Sequence, residues 1–218
     1  MTRTVKQPDE RRLEIVSAAT HLFLNRGYES TSMKHLMDKL QIAKGTIYHY
    51  FTSKEELLEA VVEQLAEDYL LHLSTVFDQA QGNALQRISV LMTAGNVASP
   101  QSDFLKQLHR PGNIAMHTRL LAVTISKIAP LYTEIIKQGC KEGVFHMLHP
   151  LESVEFLLAG MQFMTDLGSF PWKQSDLQRR IAAMPNMIET QLGAPKGSFN
   201  FLTGGHTSES DNTIEKHD

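Results

Sequence analysis

The sequence lacks several features that would place it in common protein classes. Cys140 is the only cysteine among 218 residues, so the chain can form no intrachain disulfide and no zinc site built from cysteines. No apolar run approaches the about 18 residues that a membrane span requires, and the N-terminal stretch has no apolar core of a secretion signal. We therefore expect a cytoplasmic protein without a membrane anchor, and a single cysteine also suits a reducing compartment.

Motifs for catalysis are also missing. The sequence contains no HExxH, no GxGxxG or Walker A loop, and no GxSxG. His146 and His149 have HxxH spacing, but they flank a predicted loop and have no carboxylate between them. We therefore expect no enzymatic activity, no cofactor and no metal site. An enzyme in a helical bundle would need a clustered acid, base or metal set, and a metal assay would test most of that hypothesis.

Charge is divided unevenly along the chain. Residues 1–54 carry nine Lys and Arg against five Asp and Glu, whereas the remaining residues carry twelve against nineteen. A basic N-terminal module on an acidic body is typical of a protein that contacts nucleic acid at one end. An excess of this size can also arise by chance.

The stretch Thr31–Lys54 has the pattern of two short helices joined by a tight turn. Leu36 and Leu40 give the first helix an apolar edge, and Ile47 and Phe51 repeat the four-residue spacing on the second. The positions between Ile47 and Phe51 and just before them carry a lysine, hydroxyl groups and an imidazole, without a carboxylate. This pattern predicts a helix-turn-helix that places its second helix in the DNA major groove.

These residues also carry a family resemblance. The segment KGTIYHYFTSKEEL, preceded by LFLNRGYESTSM, resembles the N-terminal domain of TetR (tetracycline-repressor-like) bacterial regulators over residues 9–60. The resemblance implies a homodimer that binds a pseudo-palindromic operator in double-stranded DNA. Carried over position by position, it implies DNA contacts from Ser32, Lys34, Lys44, Gly45, Thr46, Tyr48, His49, Tyr50 and Lys54. Of these, Ser32, Lys34, Tyr48 and Lys54 would hold phosphate, and Lys44, Thr46 and His49 would reach base edges.

The turn between the two helices departs from the family pattern. Gln41-Ile42-Ala43 stands where family members often have Gly-Val-Ser. Ala43 cannot cap the second helix with a hydroxyl, which should cost about 1 kcal/mol. Gln41 must adopt whatever backbone conformation a glycine would have eased. Neither change removes a side chain that we expect to face DNA.

The remaining periodicity predicts an all-α protein with a helical C-terminal domain. We predict a helix-turn-helix domain with an N-terminal arm at 1–52, an effector-binding and dimerisation domain at 53–192, and a disordered tail at 193–218. In that tail, Phe199, Phe201 and Leu202 could alternatively dock on the body. The arm could enter a minor groove or have no role. A helix of about 26 residues from Ser53, opened by a Ser53–Glu56 capping box, would link the two domains. Pro130 should kink or split the helix that spans 113–141.

The last two helices, 151–170 and 174–192, carry apolar residues at nearly heptad spacing. These could form an ordinary intrachain core or, as the resemblance implies, a four-helix bundle with a second copy. The predicted dimer contacts are Leu157, Met161, Met164, Leu177, Ile181, Met184, Ile188 and Leu192.

An effector pocket is expected between the middle helices, with a largely apolar lining. Its candidates are Met92, Phe104, Leu108, Met116, His117, Leu121, Phe156 and Gln162, although each methionine could equally fill a core. His109, His117 and Asp166 lie on otherwise apolar stretches, where satisfaction within the core is the commoner outcome. The sequence thus predicts a ligand-responsive transcriptional regulator that acts as a repressor. The alternative is a helical adaptor whose DNA-binding module now meets a protein.

Overall fold

A computed structural model describes residues 7–95, 103–166 and 172–203 of the chain. All regular elements in these ranges are helical, which confirms the predicted all-α class. They are α1 (Pro8–Arg26), α2 (Met33–Leu40), α3 (Lys44–Tyr50), α4 (Lys54–Gln79), α5 (Ala84–Gly95), α6 (Asp103–Leu108), a 3-10 helix (Pro111–Asn113), α7 (Ile114–Lys141), α8 (Pro150–Thr165), α9 (Gln174–Leu192) and a second 3-10 helix (Asn200–Thr203). Within these ranges, none of the helices combines the length and apolarity needed to cross a membrane.

The first hydrophobic core holds the three N-terminal helices together. Phe23 of α1, Leu36 of α2 and Ile47 of α3 are each fully buried, and Phe51 closes the end of α3 at 1% exposure. The core continues beyond the short helices, since it includes Leu57, Leu58, Val61, Val62 and Ala66 of α4 and Leu108, Met116 and Leu120 from the α6–α7 region. Residues of the predicted body therefore complete the packing of the predicted DNA-binding domain.

A second core fills the body, and α7 lies at its centre. This helix packs against α4, α5 and α8. Ile128, Ile135 and Ile136 of α7 are buried there together with Leu73 of α4. Both α4 and α7 thus contribute to the two cores, so the long helices connect the N-terminal module to the body by continuous packing.

Helix α7 runs unbroken through Pro130, so of the two predicted effects of this proline, a kink or a split, the structure rules out the split. Proline removes the hydrogen bond that its N–H would give to the carbonyl of Ser126. Both Pro130 and Ser126 lie on the exposed side of α7, where water can satisfy that carbonyl. Helix α9 likewise continues through Pro185.

The start of α4 matches the predicted capping box only in part. The Ser53 hydroxyl accepts a hydrogen bond from the backbone N–H of Glu56 at 3.0 Å. The Glu56 carboxylate, however, accepts from the backbone N–H of Thr52, at 2.6 Å, where the predicted partner was that of Ser53. The helix itself runs over 26 residues as expected.

The segment after α9 differs from the predicted disordered tail over residues 193–203. Phe199 is fully buried in the second core, with its ring centroid 6.4 Å from that of Phe145. Its backbone N–H donates to Oε1 of the buried Glu189 at 3.1 Å. The physical reason is that Phe199 is buried in the second core while Ala194, Phe201 and Leu202 pack against the same core, so this segment buries several apolar side chains in spite of its glycine and polar residues. Residues 204–218 of the predicted tail, and the arm at 1–6, lie outside the described residues.

Candidate DNA-binding surface and the clusters behind it

The turn between α2 and α3 is built from the two unusual residues that the sequence singled out. Gln41 adopts φ 52° and ψ 44°, and it is the one non-glycine residue with positive φ in the described ranges. Ala43 occupies the N-cap of α3 and provides no side-chain hydrogen bond. At the start of α2, the Ser32 hydroxyl accepts from the His35 N–H at 3.3 Å, and His35 Nδ1 accepts from the Ser32 N–H at 3.1 Å.

Helix α3 presents one face to solvent because Ile47 anchors the other. Lys44 and His49 are exposed, and Tyr48 is 39% exposed. The Lys44 ammonium lies 5.6 Å from the centroid of the Tyr48 ring, so the cation and the aromatic face support each other at the surface. A Cβ atom added at Gly45 would meet no atom within 4 Å apart from its own helix backbone and chain neighbours, so packing inside the chain does not require glycine there.

The structure brings five of the predicted DNA contacts onto one concave surface. We call this surface, formed by the α1–α2 turn, α2, α3 and the first residue of α4, the α2–α3 groove. Its lining includes Ser32, Lys34, Lys44, Tyr48 and Lys54. Two carboxylates, Glu29 and Asp38, also line this groove, so the surface is less uniformly basic than the α3 face alone.

The other predicted contacts lie outside the groove lining. His49 is exposed on α3 and meets the Tyr50 ring edge-on at 5.0 Å between centroids. Tyr50 is half-buried, and its aromatic ring packs against the first core. Thr46 is half-buried. These placements put His49 on the solvent side of α3 and leave Tyr50 mainly a packing residue.

Lys54 has a structural task in addition to any phosphate contact. Its ammonium donates to the carbonyl oxygen of Tyr28 at 3.1 Å and lies 4.2 Å from the centroid of the Tyr28 ring. Tyr28 in turn donates its hydroxyl to Glu55 Oε1 at 3.3 Å. Burial, followed by the charge of Glu55, raises the pKa of Tyr28, so the phenol stays protonated. Lys54 thereby ties the α1–α2 turn to the start of α4.

The predicted effector candidates are dispersed. Leu108, Met116 and His117 are buried together near the first core, at exposures of 3%, 0% and 6%. Met92 packs against the second core, whereas Phe104 and Phe156 are exposed. Leu121 and Gln162 are half-buried. The structure therefore joins a minority of the candidates around the start of α7.

The predicted dimer contacts divide between the interior and the surface. Ile188 and Leu192 are each 2% exposed because they pack in the second core of their own chain, and Leu177 is 9% exposed. Leu157, Met161 and Met184 are half-buried against the same core. Met164 and Ile181 are exposed, together with three large apolar residues that the sequence pattern did not single out for this role: Phe156, Phe163 and Met187.

One cluster was missed by sequence reasoning. His109 after α6, His117 in α7 and Asp166 at the C-cap of α8 meet, although they lie far apart in the sequence. His109 Nε2 is 3.1 Å from Asp166 Oδ1, and His117 Nδ1 is 3.8 Å from Asp166 Oδ2. Burial lowers the pKa of His117, and the Asp166 charge opposes that effect. The only signal in the sequence was the presence of each polar residue in an apolar stretch.

The same region connects the body to α1. Arg110 Nη1 donates to the Asn25 carbonyl at 2.6 Å, and Asn113 Oδ1 accepts from the backbone N–H of Tyr28 at 2.7 Å. The Glu29 N–H donates to the Gly112 carbonyl at 3.1 Å. The corner between α6 and α7 is therefore hydrogen-bonded directly to the end of α1 and to the turn that leads into α2.

This fold and surface define a helix-turn-helix module carried on a helical body. Comparison with known proteins gives the family. Residues 15–61 match the family model for bacterial regulatory proteins of the tetR family, and residues 96–187 match that for the tetracyclin repressor-like C-terminal domain. The chain belongs to the TetR family of transcriptional regulators.

Individual proteins similar to this chain are also transcriptional regulators. The HTH-type transcriptional repressor KstR2 of Mycobacterium tuberculosis is 29% identical over 66% of this chain and 74% of its own length. The KstR2 protein of Mycolicibacterium smegmatis is 30% identical over 42% of this chain, and this match spans less than half of that relative, 44%. A TetR-family regulator from Pectobacterium atrosepticum shares the fold, with a TM-score of 0.67, 21% identity and coverage of 89% of this chain and all of that one.

Proposed function

We propose that this protein is a homodimeric repressor that binds a pseudo-palindromic operator. Binding of a ligand would lower or raise its affinity for that operator. The observation that carries the proposal is the α2–α3 groove, which places Lys34, Lys44 and Lys54 with Tyr48 around the exposed face of α3. Cations and hydroxyl groups on a short helix suit the phosphates and base edges of a major groove.

The proposal gives the groove residues different roles. Lys44 begins α3, where a recognition helix approaches base edges most closely, and Gly45 leaves room for a neighbouring backbone. Lys34 is exposed on α2 and would hold phosphate. Ser32 caps α2 with its hydroxyl, so its contact with DNA would be an addition to that structural task. Glu29 and Asp38 would repel phosphate at the rim and so limit non-specific binding.

A second copy would dock on the exposed apolar face of α8 and α9. Phe156 is 67% exposed and Met187 is 51% exposed, and together with Phe163, Met164 and Ile181 they give two helices that pack against each other several exposed large apolar side chains. Apolar side chains gathered on one surface mark a site of association, which a single exposed residue does not. Two copies would present two α3 helices to successive major grooves about one helical turn apart.

Ligand response would pass through the elements that belong to both cores. Helices α4 and α7 each contribute buried residues to the first and the second core, so a change in body packing would alter how the N-terminal module is held. Coupling in such systems is about 1–3 kcal/mol, which is about 5- to 150-fold in operator affinity. A compound screen by thermal shift, followed by operator titration with each hit, tests this part.

Selection of bound DNA from a random pool tests the central proposal. The expected product is a site with two related half-sites. On that site, Lys44→Ala should relax sequence preference, whereas Lys34→Ala should weaken all sequences alike and reduce the slope of log affinity against log salt by about 0.9 for each lost phosphate contact. Lys141→Ala, an exposed cation in the last turn of α7, is the matched control and should change neither.

Two outcomes would contradict the proposal. One is selection of no sequence from the pool by a folded protein, which would favour the adaptor alternative. The other is an equal loss of affinity in Lys141→Ala and Lys44→Ala, which would indicate a general charge effect without a defined surface.

A further inference from the structure

The cluster of His109, His117 and Asp166 consists of three ionisable side chains that are largely shielded from solvent. The side chains of His117 and Asp166 are 8% and 4% exposed, and that of His109 is 24% exposed. The two imidazole centroids are 4.8 Å apart with a tilt of 46°. Burying a carboxylate and two imidazoles together is costly unless they are paired or hold an ion.

The geometry is close to that of a metal site. One nitrogen from each imidazole and one carboxylate oxygen lie within 4.8 Å of one another. Ligands placed tetrahedrally about a shared Zn²⁺ at about 2.0–2.1 Å lie about 3.4 Å apart. His109 Nε2 lies 3.1 Å from Asp166 Oδ1, whereas His117 Nδ1 lies 3.8 Å from the other carboxylate oxygen, Oδ2. Because the three ligand atoms, one from each residue, are separated by up to 4.8 Å, they would draw together by up to about 1.4 Å on binding an ion.

The chemistry of these ligands limits the ion. Two imidazoles and one carboxylate suit first-row divalent transition metals and leave positions open for water. Mg²⁺ and Ca²⁺ prefer oxygen ligands and would be poorly served by two nitrogens. By contrast, His146 of the HxxH pair is exposed, and its Nδ1 lies 3.2 Å from the Gly193 carbonyl, so that pair offers no such pocket.

We propose that His109, His117 and Asp166 bind one divalent transition metal ion, with Zn²⁺ as the best-fitting ion, and that this ion fixes the end of α8 against the α6–α7 corner. Leu108 precedes His109 and Met116 precedes His117, and both belong to the first core. Arg110 follows His109 and holds the Asn25 carbonyl. An ion that pulls Asp166 toward the two histidines would therefore act on residues adjacent to those that support α1.

The direct test is titration of the full-length, tag-free protein with Co²⁺ as a spectroscopic probe, followed by displacement with Zn²⁺. We expect one equivalent of Co²⁺ per chain, with d–d absorption typical of nitrogen and oxygen ligands. His109→Ala and Asp166→Asn should each weaken binding by at least about 100-fold, the upper end of the loss caused by removing a mere outer-shell partner. His146→Ala combined with His149→Ala is the matched control and should bind as the parent does.

Folding of the variants can be separated from metal binding. Asp166→Asn keeps the shape of the side chain, and His109→Ala alters the most exposed of the three, so circular dichroism of both should match the parent without metal. Zn²⁺ should raise the melting temperature of the parent and of the His146/His149 control, but not that of His109→Ala. Absence of a Co²⁺ equivalent in the parent, as for a triad held by hydrogen bonds alone, overturns the proposal. Unchanged binding in Asp166→Asn and His109→Ala overturns it as well.

The effect on DNA rests on the proposed function and is measured separately. Adding Zn²⁺ to the parent should change operator affinity by about 5- to 150-fold, and His109→Ala should abolish that change. Stoichiometric metal binding with unchanged operator affinity would overturn the link between the site and α1. A protein that binds metal but selects no DNA would contradict the proposed function and leave the metal site standing.

Discussion

The two cores of this chain differ in how completely a single copy buries its apolar residues. In the first core, α1, α2 and α3 bury their large side chains and leave Leu13 and Tyr48 as the large apolar residues that remain exposed on them. The body leaves a whole set exposed on α8 and α9, including Phe156, Phe163, Met164, Ile181 and Met187. A single copy therefore buries almost all large apolar side chains of α1, α2 and α3, whereas α8 and α9 keep apolar side chains exposed that a partner could bury.

The largest expected effect is a loss of stability when one buried phenylalanine in each core is replaced by alanine. Phe23 and Phe199 are both fully buried, one in each core. Either change to alanine should cost about 3–5 kcal/mol of unfolding free energy, measured by urea denaturation. Phe23→Ala should also abolish operator binding, because that ring supports the packing of α2 and α3. Folded Phe199→Ala should retain operator binding, because Phe199 lies on neither α4 nor α7, the helices that join the two cores.

A small loss for Phe199→Ala, close to that of an exposed substitution, would show that residues 193–203 do not belong to the body. Equal loss of operator binding in both folded variants would show that the two cores are not separable in function.

The next effect tests the exposed apolar face. Ile181 is 36% exposed in the single chain, so Ile181→Asp should not prevent each chain from folding. If a second copy covers this face, the aspartate would be buried without a partner at a cost of several kcal/mol, and sedimentation should show dissociation. Operator affinity should fall by about 10²- to 10⁴-fold, because the two half-sites are then bound independently.

Leu71→Asp is the matched control for this surface, since Leu71 is 70% exposed on α4. It should leave the oligomeric state unchanged. If Leu71→Asp dissociates the dimer and Ile181→Asp does not, the interface lies on α4 and not on α8 and α9.

The sequence was informative where the pattern was long and local. The bounds of α4, Lys54–Gln79, follow from an apolar stripe over many turns, and a capping serine marks its start. The α3 face followed from the i, i+4 spacing of Ile47 and Phe51, which leaves the intervening residues outward. Disorder was the main prediction for the segment around Phe199 because its neighbours are glycine, serine and asparagine, a composition typical of disorder, although Phe199, Phe201 and Leu202 were recognised as side chains that could dock on the body.

The clusters formed by distant residues could not be found in this way. His109, His117 and Asp166 come from three separate elements, and no periodicity relates their positions. The predicted dimer seam was also affected, since heptad spacing in α9 does not show which side of the helix meets α8. Ile188 and Leu192 turned inward, whereas Ile181 did not.

A smaller effect is expected at the N-cap of α3. Ala43 leaves the first N–H groups of this helix without a side-chain acceptor. Ala43→Ser should add about 1 kcal/mol to the stability of the N-terminal module, since a serine hydroxyl accepts from the second or third N–H of a helix. The measurement is urea denaturation followed by a probe in that module. Ala122→Ser, at an exposed position inside α7, is the matched control and should give no gain.

The smallest expected effect concerns Gln41, which holds the left-handed conformation that a glycine adopts without strain. Its Cβ costs about 1–2 kcal/mol in that region. Glycine removes this strain but loses about 0.4–1 kcal/mol through the greater freedom of its unfolded chain, so Gln41→Gly should stabilise by a net of about 1 kcal/mol or less. Gln41→Ala keeps the Cβ and should give no such gain, which separates backbone strain from loss of the long side chain. Equal stabilisation by both substitutions would mean that the left-handed turn stores no strain. The cost of this departure from the family pattern would then lie in the glutamine side chain.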